Sequence, residues 1–231
     1  MSNSLISAII ICGHYSAGKG PVARVLQDII QRDFPHLDCS FIRDRDLLDK
    51  AVLKDTARTH SIIRDYGPPL VFDVKSGFLH DRIHRSMIEG IRYIPAGQLQ
   101  LLEIATGPDV RDFGLWQSGD HLVTLVNEYD IYDKTLFVEV HASEATRFRR
   151  NQQRDDFVSE EIMRVAACAG GELFHVADVL GDHYWQINNE ADGEIYHLAD
   201  QAYTNFIRPH LYTDHNTIEY GSAQARERHD R

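Results

Sequence analysis

The chain has 231 residues, 43% of them hydrophobic and 26% charged, with a formal net charge of −11. That length suits one α/β domain with a sizeable core, and the acidic balance disfavours a broad, sequence-independent grip on nucleic acid while leaving room for a local basic groove. Cys12, Cys39 and Cys168 are widely spaced with no CxxC, which fits a reducing cytoplasm and gives neither a disulfide framework nor a zinc site; no apolar run reaches membrane-spanning length. The 13 histidines form no HExxH or other metal spacing, so most are expected at the surface or in loops.

From the N-terminus, Ile6 to Cys12 is a continuous β-branched apolar run, the pattern of a strand buried on both faces. A helical pattern with apolar residues at Val22, Val25, Leu26, Ile29 and Ile30 runs from Pro21 to Phe34 and is closed by Pro35. Between the two lies Gly13-His14-Tyr15-Ser16-Ala17-Gly18-Lys19-Gly20. Gly, four residues, Gly-Lys is the core of a phosphate-binding loop. Glycines let successive backbone N–H groups turn onto an anion. The helix N-terminus adds positive potential, and Lys19 adds a mobile full charge. The plainer alternative is an ordinary Gly-rich turn.

These residues resemble the P-loop kinases, especially the nucleotide-kinase group, which often read Gly-Lys-Gly-Thr. Here Gly20 and Pro21 fill the two places where the magnesium-holding hydroxyl would stand. Ser16 is the only hydroxyl in the loop besides the Tyr15 phenol. The resemblance implies ATP and Mg2+ as cofactors, the metal being held through Ser16, water, nucleotide oxygens and a carboxylate from elsewhere. It also implies a three-layer α/β/α P-loop NTPase fold: a central parallel sheet with a helical lid, in a single domain over residues 1–212.

Leu37 to Ile42 reads as a second strand, followed by Arg43-Asp44-Arg45-Asp46. In doubly wound sheets ligands sit beyond the carboxyl ends of strands, so Arg43 and Asp44 are candidates to hold an acceptor. Asp44 or Asp46 can equally cap a helix from Leu47 to Ala57. Arg58 to Asp73 is irregular, with Tyr66-Gly67-Pro68-Pro69 as a loop. Val71 to Tyr93 has helical apolar spacing, with Lys75, Arg82 and Arg85 on its polar face. The resemblance makes Arg82 and Arg85 acceptor contacts; the pattern alone describes a solvated face. Gln98 to Thr106 is a third buried strand, and Glu103 inside it is costly without a partner. By resemblance Glu103 faces the metal or its water, or takes a proton from the acceptor. Asp109 and Arg111, in the loop that follows, are further acceptor candidates.

Gly119 to Tyr129 reads as a short helix and Thr135 to Val140 as the fourth strand. Ser143 is a natural N-cap, with Thr146 rather than Glu three residues on. Arg147, Arg150 and Arg154 are spaced for one helical face, and with Arg149 they put four arginines within eight residues of an acidic chain. The planar fork of arginine suits phosphate. The stretch resembles the lid of nucleotide and dephospho-coenzyme-A kinases, which implies that Arg147, Arg150 and Arg154 neutralise the transferring phosphoryl group within a lid over 143–170. The alternative is a basic face paired with Asp155, Asp156 and Glu160. Leu173 to Leu180 fits strand or helix alike. His183 to Asn188 reads as the last strand, and its end resembles the adenine-side loop of coenzyme-A-type kinases, which makes Asn188 a nucleotide contact. Tyr196 to Ile207 reads as a helix ended by Arg208-Pro209, and 213–231 as a polar tail.

Together these features lead to the expectation of a cytoplasmic, ATP-dependent phosphotransferase acting on a small nucleotide- or nucleoside-like acceptor, with no membrane partner. A virus-type kinase of hydroxymethylated bases in DNA and a non-catalytic nucleotide-binding module are the alternatives. The acceptor's identity, ATP against GTP, and the oligomeric state stay open.

Overall fold

A computed structural model describes residues 6–66, 69–74, 78–106, 119–155, 158, 163 and 173–211. At its centre β1 (Ala8–Gly13) lies between β5 (Gln98–Ala105) and β6 (Thr135–His141), with β2 (Asp38–Arg43) and β7 (Tyr184–Asn188) on the edges. Every pairing in this sheet is parallel. The two-residue period of a strand explains why the central runs read as continuously apolar. Ile9 and Ile11 face one core, shared with Val22, Leu26, Ile29 and Ile30 of α1 (Lys19–Asp33) and with Ala199 and Ala202 of α7 (Ile195–Ala202). Ala8, Ile10 and Cys12 face the other, with Leu79, Ile83, Met87 and Ile88 of α3 (Phe78–Gly90) and Leu122 and Leu125 of α4 (Gly119–Glu128). This is the expected three-layer arrangement.

Local differences have local causes. The first helix begins at Lys19, and Pro21 sits in its first turn, where an N–H has no helical partner to lose. The second helix, α2 (Asp44–Lys54), follows β2 directly. Its N-cap is Arg43, without a side-chain cap bond; Asp44 and Asp46 lie inside the first turn, where they complement the helix dipole instead of capping it. The stretch read as irregular contains an antiparallel hairpin, β3 (Ser61–Asp65) with β4 (Val71–Val74). Of the stretch expected to be one helix from Val71, Val71–Val74 therefore extends as strand and the helix runs over Phe78–Gly90.

Further along, α5 (Glu144–Gln152) has the expected N-cap: Ser143 Oγ accepts the Thr146 N–H at 3.3 Å. Leu173 to Leu180 is helical, a 3-10 turn running into α6 (Ala177–Leu180). Pro209 does not end the final helix. After α7 the chain makes a π-turn over Tyr203–Ile207, with Arg208 N–H on the Tyr203 carbonyl, and α8 (Arg208–Leu211) follows. Pro209 thus falls in the first turn of a new segment. Among the described residues no helix is long and apolar enough to cross a membrane. Lys75, Asp109, Arg111, Cys168, most of the lid beyond Asp155 and the tail lie outside the described residues.

Candidate functional site

The loop after β1 holds its shape through three left-handed residues, Gly13 (φ 138°), Ser16 (φ 59°) and Gly18 (φ 100°). A Cβ on Gly13 would stand 2.2 Å from the Val140 carbonyl oxygen, and one on Gly18 would stand 2.2 Å from Asn189 Nδ2, so both glycines are also sterically required. Lys19 is only 5% exposed and donates to the His14 carbonyl at 2.8 Å, folding back over the loop. Burial lowers its pKa, against the pull of the Glu103 and Asp44 carboxylates.

Glu103 approaches the loop from β5, where its backbone lies in register with Ile11 and Arg43. Its Oε2 stands 3.1 Å from where a Gly20 Cβ would be. A carboxylate therefore fills the direction in which a serine or threonine at position 20 would project. Burial raises the Glu103 pKa; Lys19 opposes that rise and Asp44 adds to it.

Asp44 closes the group from the start of α2. Its Oδ2 accepts the Ala105 N–H at 2.6 Å, and His84 Nε2 faces the same oxygen at 3.7 Å, longer than a hydrogen bond. Burial would raise the Asp44 pKa, but His84, the Ala105 N–H and Lys19 together hold it below the usual value. His84 and His80 lie on the buried face of α3, with their rings edge to face at 6.2 Å. Burial, reinforced by His84, pushes the His80 pKa down to about 3. These histidines, with His14 of the loop, are inside the protein and so are exceptions to the expectation that most histidines lie at the surface or in loops. Thr106, also buried, joins β5 to the loop through its N–H on the Gly13 carbonyl at 3.0 Å.

The other expected acceptor contacts divide. Arg43 stays beside Glu103 on the sheet's edge and pairs with Asp46 at 3.2 Å. Arg82 is exposed, and Arg85 pairs with Asp81 and Glu128 at 3.1 and 3.2 Å. Both belong to the solvated face of α3, turned from Asp44.

The arginine stretch does not share one face. Arg147 and Arg150 are in α5, whereas Arg154 lies beyond the helix C-cap at Gln153. Arg147 is buried, and after burial itself its charge is the largest influence holding the His14 pKa down at about 3. Arg154 acts electrostatically on both Lys19 and Glu103. Arg150 is occupied by protein: it donates to the Asn189 carbonyl at 2.9 Å and to the Ala17 carbonyl at 3.4 Å, and pairs with Asp192. Arg149 pairs with Asp192 as well. Arg149 and Arg150 thus find an acidic partner in Asp192, 43 and 42 residues away.

Two asparagines were missed by sequence reasoning. Asn188 is exposed at the end of β7, and it is the fully buried Asn189 that reaches the loop, donating to the Ala17 carbonyl at 2.8 Å. Strand alternation carried the signal: Ile187 points inward, so residue 189 does too. Asn151 of α5 accepts from Ser16 Oγ at 3.4 Å and exchanges bonds of 2.7 and 2.9 Å with Val158, tying the loop to the chain beyond α5.

No protein-family model and no curated protein sequence matches the chain. Solved structures do. An unliganded sugar kinase from Janibacter sp. HTCC2649 superposes with a TM-score of 0.54 at 10% identity, covering 90% of this chain and 99% of that one. Kti12 of Chaetomium thermophilum, in complex with ADP-AlF3, gives 0.51 at 12% identity, with 86% and 98% covered. The chain therefore has the three-layer α/β/α fold of the P-loop NTPases.

Proposed function

We propose that the protein is an ATP-dependent phosphotransferase that moves the γ-phosphoryl group to a small nucleotide- or nucleoside-like acceptor. The observation that carries this reading is the glycine-shaped loop ending in the buried Lys19, with the Glu103 carboxylate set against the neighbouring Gly20. Lys19 exchanges the His14 carbonyl for a β- or γ-phosphate oxygen, and the amides from Gly13 to Gly20 hold the rest of the chain of phosphates. Arg147 and Arg154 offset the charge that spreads over the transferring group. Arg150, held by Asn189 and Asp192, braces the loop.

The residues present fit a magnesium ion bound together with the nucleotide. Glu103 and Ser16 offer hard oxygens beside the loop, and among the described residues no cluster of three or more His, Cys, Asp or Glu makes a metal site alone. Mg2+ bound there supplies charge neutralisation on the phosphates. The test is ATP binding by calorimetry and phosphate transfer to candidate acceptors, wild type beside Lys19→Ala. Transfer in the variant is expected to fall by about 100-fold or more. Undiminished transfer overturns the proposal, and ATP binding without transfer to any acceptor leaves a nucleotide-binding module.

A further inference from the structure

The two kinds of phosphoryl acceptor make opposite demands on a site. A phosphate arrives ionised and must be brought against the γ-phosphate by cations. An alcohol arrives neutral and must lose a proton as its oxygen attacks. The described wall at the carboxyl ends of β2 and β5 meets the second demand. It presents Asp44 and Glu103, backed by His84 and His80 from α3, and the buried Thr106 hydroxyl. Among the described residues on this side, Arg43, Arg45 and Arg85 are engaged with other protein groups. Arg43 pairs with Asp46; Arg45 with Asp49, the Leu70 carbonyl and the Phe72 ring; Arg85 with Asp81 and Glu128. Arg82 faces solvent.

Asp44 is placed to receive the proton. The Ala105 N–H donates to Oδ2 and His84 Nε2 stands 3.7 Å from the same oxygen, so Oδ1 is the oxygen assigned to an incoming hydroxyl, and the side chain keeps 13% exposure. Resting on the phosphotransferase reading above, we propose that the acceptor is an alcohol, that Asp44 takes its proton, and that His84 is a positioning residue for the Asp44 carboxylate. In the step, the alcohol O–H breaks and its proton passes to Asp44. The oxygen forms a bond to the γ-phosphorus, and the bond from that phosphorus to the β–γ bridging oxygen breaks. ADP leaves with that electron pair, the product is a phosphate monoester, and Asp44 returns the proton to solvent.

The experiment supplies the full chain with ATP and Mg2+ and, one at a time, glycerol, glucose, shikimate and adenosine, or AMP, CMP, UMP and dTMP. Phosphorus NMR reads the bond formed. A monoester from an alcohol, lost by about 100-fold in Asp44→Asn with ATP affinity kept, is the expected result. A new anhydride from a nucleoside monophosphate overturns the proposal but leaves the phosphotransferase reading intact, whereas absence of ATP binding by the wild type overturns that reading itself. If no added acceptor reacts, hydrolysis decides, because water must also shed a proton. A fall of about 100-fold in Asp44→Asn supports the base, and an unchanged rate overturns it. For His84, His84→Ala is expected to lower kcat about tenfold at unchanged KM for ATP, with most of the loss restored in His84→Gln, which keeps a donor facing Asp44. Equal kcat in all three proteins removes His84 from the proposal. Where the alanine variant does not fold, His84→Leu takes its place.

Discussion

A side chain at position 20 would put its Cβ 3.1 Å from Glu103 Oε2, close enough to need a shift of a few tenths of an ångström from the end of a flexible side chain. Gly20→Ser is therefore expected to melt within a few degrees of the wild type. Gly13→Ala is different: its Cβ would meet the backbone Val140 carbonyl at 2.2 Å, in a φ of +138° that L side chains avoid. That substitution is expected to cost more than about 3 kcal/mol in denaturant unfolding. Equal stability of the two variants would refute the steric account of the loop. Glu103 itself should show a trade of stability for function. Its folded pKa lies above the unfolded 4.5, so its ionisation weakens the fold as pH rises from 4.5 to the folded value, and the loss is complete above it. Glu103→Gln is expected to raise the melting temperature at pH 7 and not at pH 4, while transfer falls. A lower melting temperature at pH 7 would show that the Lys19 attraction outweighs burial.

At the scale of elements, α5 and the loop after β7 clasp one another over the phosphate loop. Glu190 accepts from Ser143 Oγ and Thr146 Oγ1 at 2.8 Å each, and Asp192 holds Arg149 and Arg150. The two halves of this clasp differ in worth. Asp192 is 55% exposed and its ion pairs are screened by solvent, so Asp192→Asn should melt close to the wild type. Asn189 is fully buried and serves Ala17 and Arg150 together, so Asn189→Ala should cost about 1–3 kcal/mol and weaken ATP binding as well. The reverse order in calorimetry would dismiss Asn189 as the strut.

The Ser143 cap and the arginines were legible from sequence because both are local patterns. Their acidic partners were not, because separations of 42 to 47 residues leave no periodic trace. The hairpin was hidden for a related reason. Val71, Phe72 and Val74 run into the apolar spacing of α3, so strand and helix merge into one apparent helix. The buried strands of the parallel sheet were plain because each is a run of apolar residues bounded by turn signals.

Over the whole molecule, Lys19, Glu103 and Asp44 could be read from the loop motif, from one carboxylate set in an apolar strand and from a position beyond a strand's carboxyl end, whereas the approach of His84 to Asp44 depends on the fold bringing α2 against α3. The interior histidines also govern how the protein meets acid. His14 and His80 both have pKa values lowered from 6.5 to about 3, chiefly by burial. Below pH 6.5 the unfolded chain takes up a proton at each, and the native protein does not until about pH 3. Their contribution is thus fully present above 6.5 and is lost as pH falls. With two such groups the unfolding free energy is expected to drop by about 2.7 kcal/mol per pH unit in the middle of that window. Asp44, whose folded pKa lies below 3.8, adds loss only at the acid end, and protonation of Glu103 offsets part of the whole. Urea unfolding at pH 7, 6 and 5 tests this, with a His14→Gln, His80→Gln double variant expected to give the flatter profile. The two histidines also separate by ligand. His14 is held neutral partly by Arg147 and Lys19, so an anion bound against those cations should let it protonate nearer to neutrality. ATP is then expected to reduce the acid sensitivity of His80→Gln, where His14 remains, and not that of His14→Gln. Equal protection of both single variants would mean that the phosphates bind away from His14.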